Sequence, residues 1–244
     1  MKVSLLAATQ VFPVDRLLNT RLLTRIRTVT NQGIEESTSA DMVAEIAGRL
    51  CYDSFHLPNP HTQTNETYLA NIIKQRHFSV MEHASATFLV EDVSRSLLME
   101  LRTHRHTSFS ARSTRYVDEA DSNFIVPPRM RAHLGDLTHF EAGTAATFSL
   151  ELQTLMEHSS ELYTEIFNHL IAQGATRKEA REAAREVLPG MTSTEFVVTA
   201  NHHGWRELLA KRMAPGAAAE IRELSTEILR HLKRIAPAIY QDMN

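Results

Sequence analysis

The sequence predicts a single α+β domain spanning residues 1–244. Three short apolar or β-branched runs have the character of strands, and long amphipathic stretches fill the second half with helix. No internal repeat, low-complexity tract or linker divides the chain. A chain of 244 residues is long enough to bury a substantial core as one domain.

The elements follow in order. Val3 to Ala8 is short, apolar and ended by turn-prone residues, which predicts a first strand. Residues 30–41 (TNQGIEESTSAD) predict a polar loop closing on a cap. Ser39 or Asp41 can accept from the first free amides of a helix running to about Cys51, which carries Met42, Ile46 and Leu50 at fourfold spacing. A second loop, 56–66 (HLPNPHTQTNE), leads into a helix from about Glu66 to Arg76. Ala84 to Val90 (ASATFLV) fits strand alternation loosely, and its flanks favour a strand. Val93, Leu97 and Leu101 then mark one face of a helix that delivers the chain into a basic segment.

Phe140 to Gln173 predicts a long helix with Phe148, Leu152, Leu155, Leu162, Ile166 and Leu170 on its apolar stripe and Gly174 as its stop. Arg177 to Leu188 is rich in good helix formers and ends at Pro189-Gly190. Glu195 to Ala200 (EFVVTA) predicts a strand. Helices over Trp205–Met213 and Ala217–Ile235 close the chain, the last with Ile221, Leu224, Ile228 and Leu232 buried.

Composition narrows the function. Hydrophobic residues make up 43% and charged residues 23%, ordinary for a globular protein and too apolar for disorder. A net charge of -3 argues against wholesale nucleic-acid binding, which needs a broad excess of Lys and Arg. No apolar stretch reaches membrane-spanning length, and Pro13 and Asp15 interrupt the N-terminus too early for a signal peptide. The single cysteine, Cys51, permits no internal disulfide, so the expected setting is cytoplasmic.

One segment departs from this ordinary background. Residues Thr103 to Tyr116 read THRHTSFSARSTRY, with two histidines and three arginines among small hydroxyl residues and neither acid nor lysine. Planar cations of this density suit planar anions and phosphates, which arginine grips with two parallel hydrogen bonds. The preceding helix brings Arg95, Glu100 and Arg102 close in sequence. Two further clusters are HFSVMEHAS, which holds His77, Ser79, Glu82 and His83, and the span from Asn201-His202-His203 to Arg212. Arg185 stands apart in AREVLP.

Each cluster has competing readings. Glu82-His83 or His202-His203 could ligate metal, but no HExxH or CxxC spacing supports it, and no metal is expected. Cys51 sits in an apolar helix turn (RLCY) of the inert, buried kind, without a neighbouring base. Ser113 could be a nucleophile, although no GxSxG context surrounds it. The run could also bind RNA or DNA, in a protein without catalysis. The residues alone thus predict an anion-binding protein for a nucleotide or cofactor.

The segment HRHTSFSARS resembles the R-H-R-x7-S signature of the flavin-dependent thymidylate synthases, with His104, Arg105 and Ser113 at the expected spacing and Arg115-Tyr116 following. HFSVMEHAS, AREVLP and NHHGWRELLAKR resemble further segments of that family in order and spacing, and together they cover nearly the whole chain. The resemblance implies a central, mostly antiparallel sheet flanked by helices. It also implies a homotetramer with FAD seated between subunits, NADPH as reductant and methylenetetrahydrofolate as carbon donor to C5 of a uridylate. By position, Ser79, His104, Arg105, Asn201 and His203 would contact flavin, with His77, Thr103, Ala111 and Glu207 nearby. Arg95, Glu100, Arg102, Thr103, Ala111, Arg112, Ser113, Thr114, Arg115, Arg185 and Arg212 would surround the nucleotide. Arg212 and Ser113 are the candidate catalytic residues, with Arg212 stabilising negative charge on the uracil edge.

Three positions depart from the family pattern. Thr103 stands where the family has the first arginine, with Arg102 displaced by one residue and turned about 100° around a helix. Ala111 replaces a carboxylate or amide, and Arg112 replaces a leucine. The space left at Ala111 and the added donor predict tolerance of a 2′-hydroxyl, hence methylation of UMP as well as dUMP, as in nucleoside-antibiotic pathways. The alternative is a housekeeping enzyme restricted to dUMP. Pro215-Gly216 follows Arg212 where many relatives are polar, which predicts a reshaped loop.

Overall fold

The computed structural model describes residues 1–12, 38–55, 59–134 and 144–244, excepting the side chains of residues 133–134 and 144–149. Four strands form one antiparallel sheet in the order β1-β2-β4-β3, where β1 is Lys2–Ala8, β2 is Ser85–Ser94, β3 is Thr107–Ala111 and β4 is Ser193–Asn201. Helices flank it, so the expected α+β architecture is present. Register is set by central pairs that include Phe88 with Val198 and Phe109 with Val198. A bulge between Val90 and Val93 carries Asp92 at φ 55, a left-handed conformation that Asp tolerates better than most residues.

The core lies where helices α7 (His202–Arg212) and α8 (Ala219–Ile235) cover the sheet. Ile221, Leu224, Ile228 and Leu232 are fully buried, as the helical spacing predicts. Trp205 is also fully buried. Its ring meets Phe88 edge-on at 5.3 Å and its Nε1 donates to the Ala86 carbonyl at 3.1 Å, which ties α7 to β2.

Helix α1 (Ser39–Cys51) corrects two expectations. The cap is Thr38, whose hydroxyl accepts from the Asp41 amide; Ser39 instead accepts from the Val11 amide, and Asp41 from the amides of Ala238 and Ile239. The inward face is not Met42, Ile46 and Leu50 but Ala40, Ala44 and Gly48, with Glu45 and Arg49 beside them. Leu50 is exposed. The small residues allow close approach, and the charged pair is satisfied internally: Arg49 donates to Glu45 at 2.6 Å and stacks on Tyr68, while Asn65 donates to Glu45 at 2.8 Å. Cys51, expected to be buried, is exposed at the helix end.

Helix α2 (Asn65–Lys74) opens on a capping box at Thr64. Helix α3 (Arg95–Leu101) buries Leu97, Leu98 and Leu101 and leads directly into the basic run. That run is not one loop. Residues 102–106 turn, Thr107–Ala111 form β3, and Ser113 begins a second turn. The strand escaped sequence reading because Ser108 and Ser110 alternate with only modest apolar residues among cations.

Helix α4 spans Pro128–Leu134, and the long α5 spans Thr144–Ala172. Residues 140–143 and the Phe148 side chain lie outside what is described. Among the described side chains of α5 only Ser159 and Tyr163 are buried, and Leu155 of the expected stripe is exposed. Gly174, at φ 90, ends it as expected. Helix α6 (Arg177–Ala184) stops four residues early and tightens into a 3-10 turn at Arg185–Val187. No described helix is long and apolar enough to cross a membrane.

Candidate active site

Two groups of side chains form where α3 hands the chain to β3. The first centres on Arg212, the last residue of α7. Its Nε donates to His104 Nε2 at 2.8 Å, its Nη1 pairs with the Glu100 carboxylate, and its Nη2 reaches the Glu100 carbonyl at 3.2 Å and Thr103 Oγ1 at 3.1 Å. Burial, then the neighbouring Arg212 and Lys211 cations, hold the His104 imidazole below its ordinary pKa, so it stays neutral and keeps its lone pair for Arg212.

This group walls a polar cavity of about 340 Å³ lined by residues 103–107 and by Gly204, Glu207, Lys211 and Arg212. Arg102 and Arg105 have no side-chain hydrogen bond or ion pair among the described residues. Gly204 eases a close approach here: an added Cβ would lie 3.0 Å from the His106 carbonyl oxygen. Asn201 caps α7 by accepting from the Gly204 amide at 2.8 Å, which leaves its amide donors available.

Beyond the cavity, the 3-10 segment Phe78–His83 packs on α7. His203 donates from Nδ1 to Glu82 at 2.8 Å, lies 3.8 Å from Glu207 through Nε2, and rests against the Phe78 ring. Ser79 and His77 are exposed on that segment's rim, His77 stacked beside Tyr52. Of the expected flavin-contacting residues, Thr103, His104, Arg105 and Glu207 line the cavity, His203 lies beside Glu207, and Ala111 ends β3 opposite Phe196.

The second group gathers the remaining expected nucleotide residues. Arg185 donates to Thr114 Oγ1 at 3.4 Å, and Arg115 pairs with Glu182 at 2.7 Å while its buried Nε has no partner. Arg95 feels the charges of Glu119, Arg185 and Arg102, and burial lowers its pKa. Arg112 donates to Glu119 at 3.3 Å and to the Asp118 carbonyl at 3.2 Å. Ser113 Oγ accepts from the Arg115 amide at 3.4 Å, and among the described residues no base is hydrogen-bonded to it. No hydrogen bond or ion pair among the described residues joins Ser113 to Arg212.

Sequence reading missed Lys211, Glu182 and the role of Gly204. Glu182 and Gly204 act through partners distant in sequence, Arg115 and His106, and Lys211 carries no local signature. Pro215-Gly216, whose effect the sequence left open, borders a separate apolar cavity of about 470 Å³ through Gly216, with Glu100 on another wall. Among the described residues, no three His, Cys, Asp or Glu side chains are grouped to hold a metal.

Comparison with known proteins bears on this arrangement. The profile of a family described as thymidylate synthase complementing protein matches residues 34–238. A protein of Mycobacterium phage L5 named "Probable flavin-dependent thymidylate synthase" is 50% identical over 208 residues, covering 84% of this chain and 81% of its own. The flavin-dependent thymidylate synthase of Mycolicibacterium gilvum (strain PYR-GCK) is 41% identical over 235 residues, 92% of this chain and 89% of that protein. With His104 and Arg105 of the family signature lining one cavity and matches that span most of the chain, the chain belongs to the flavin-dependent thymidylate synthase family and is an enzyme.

Proposed function

We propose that this protein methylates C5 of a uridine 5′-monophosphate, taking dUMP and also admitting UMP, with FAD as cofactor, methylenetetrahydrofolate as carbon donor and NADPH as reductant. The observation that carries the reading is the Arg212 guanidinium, locked by Glu100, Thr103 and His104 at the rim of a polar cavity. The residues present fit an anionic flavin dinucleotide. Arg105 and Lys211 supply positive charge at the cavity that no described residue pairs, and Gly204 leaves room for close backbone approach. Ser79, His104, Arg105, Asn201 and His203 would hold FAD, with His77 and Glu207 at the edge. When bound, FAD supplies the redox chemistry that completes the methyl group.

The chain's own residues would do the rest. Arg95, Arg102, Arg115 and Arg185 offer bidentate donors to the nucleotide phosphate, where charge-assisted bonds fix its position. Ser113 and Thr114 add hydroxyl donors in the same turn. Arg212 would stabilise the negative charge that gathers on the uracil N3/O4 edge as C5 becomes nucleophilic, a preorganised electrostatic role that needs no covalent enzyme adduct. Exposed Cys51, at the far end of α1, has no part in it.

Tolerance of UMP rests on Ala111, whose short side chain leaves space where a longer one would meet the ribose. Arg112 contributes less than its position suggests, because Glu119 and Asp118 hold it. Cytoplasmic location, a homotetramer with sites shared between subunits, and a place in nucleoside-antibiotic synthesis belong to the same reading. The housekeeping alternative takes dUMP alone. Purified protein incubated with FAD and assayed on both nucleotides tests this: flavin absorbance with methylated product from dUMP and UMP is expected. Rejection of UMP would leave the dUMP-only enzyme, and colourless protein that binds RNA with steep salt dependence would overturn the catalytic reading.

A further inference from the structure

The guanidinium of Arg212 has five N–H donors, and the chain itself occupies four. Nε is taken by His104, one Nη1 hydrogen by the Glu100 carboxylate, and both Nη2 hydrogens by the Glu100 carbonyl and Thr103. A single Nη1 hydrogen remains without a partner among the described residues. Arg212 therefore cannot offer the two-pronged fork that grips a phosphate, and presents one directed donor instead.

Thr103 completes this restriction. Its hydroxyl donates to the Glu100 carbonyl at 2.8 Å, which fixes the hydroxyl's rotation and turns its lone pairs toward Nη2 of Arg212 at 3.1 Å. The Glu100 carbonyl lies in the last turn of α3, where it accepts the Thr103 amide at 3.3 Å, and the Thr103 hydroxyl and Arg212 both donate to it as well. An arginine at residue 103 has no lone pair to accept with, and would place a second cation against Arg212. The short hydroxyl does what a cation cannot.

We infer that Thr103 is a positioning residue for Arg212, acting neither on flavin nor on the nucleotide directly. It closes the last competing donor direction and aims the remaining N–H at a single ring atom of the substrate. The inference rests on the reading of Arg212 as the group at the uracil edge.

Thr103→Val and Thr103→Ser test it in the FAD-loaded enzyme. The valine keeps the shape and removes the acceptor; the expected result is a fall in kcat of roughly tenfold or more, the scale of one hydrogen bond to a charged group, with FAD dissociation constant and nucleotide KM unchanged. The serine keeps the hydroxyl and is expected to restore kcat. An activity-independent readout is the Arg212 Nε–H NMR resonance, identified by its loss in Arg212→Lys, which should shift in the valine variant and not in the serine one. An unmoved resonance with wild-type kcat in Thr103→Val, a serine variant as impaired as the valine, or a changed FAD constant overturns the inference. If wild-type protein turns over no uridylate, the functional reading falls, and the resonance still decides whether Thr103 positions Arg212.

Discussion

The imidazole of His104 accepts from Arg212 through Nε2, which it can do only while neutral. Burial and then the Arg212 charge lower its pKa from 6.5, so protonation comes only at more acid pH, where the hydrogen bond would become a like-charge contact. The expected pH profile of kcat is therefore flat through neutrality and falls on the acid side below the ordinary imidazole range; a His104→Asn variant should lose that limb. Arg212→Lys should cost about a hundredfold in kcat, because one ammonium cannot bridge Glu100, His104 and Thr103 while still facing substrate, and steady-state assays check it. At this scale the sequence was informative for His104, Arg105 and Arg212, whose types and spacing follow a family signature. It was silent on Lys211 and Glu182, since Glu182 meets Arg115 only across the fold and Lys211 reaches the cavity only through how α7 is placed.

Among the elements, the start of α7 joins the two walls of the cavity. Asn201 caps it, and Gly204 lets it approach the 104–107 segment until the His106 carbonyl sits 3.0 Å from where a Cβ would be. Gly204→Ala should destabilise the fold by about 1–2 kcal/mol despite alanine's better helix propensity, because the obstacle is backbone. Thermal melting and flavin retention measure it, and an alanine variant with unchanged melting would mean the segment shifts freely. The helices with strong apolar spacing, α8 above all, were legible from sequence. Strand β3 was not, because its pairing with β4 rather than its own composition makes it a strand. The inward face of α1 was also misjudged: Glu45 and Arg49 are buried only because Asn65, Thr62 and Tyr68 complete their hydrogen bonds and stacking from elsewhere.

Across the whole molecule, the C-terminal tail locks the site's framework in place. Asp41 accepts the Ala238 and Ile239 amides, and Tyr240 shares a 2.9 Å hydrogen bond with His202, the residue between Asn201 and His203. Burial lowers the His202 imidazole from 6.5 to about 4. The unfolded chain then takes up the proton first. His202's contribution is whole above about pH 6.5 and is lost progressively toward pH 4, on the order of 3 kcal/mol. His104 and His231, also lowered, act in the same direction. Melting curves between pH 7 and pH 4 should show this decline, less steep in a His202→Asn variant. If the proposed tetramer forms, light scattering should return the mass of four chains. In the sequence the tetramer rested on the family resemblance alone, because which helix faces stay exposed is set only after the sheet has chosen which to cover. The central claim is tested most directly by following methylated nucleotide from dUMP in the presence of FAD, NADPH and methylenetetrahydrofolate. The account predicts thymidylate from yellow wild-type protein and almost none from Arg212→Lys. Colourless protein without product, or equal turnover by the two proteins, would contradict it.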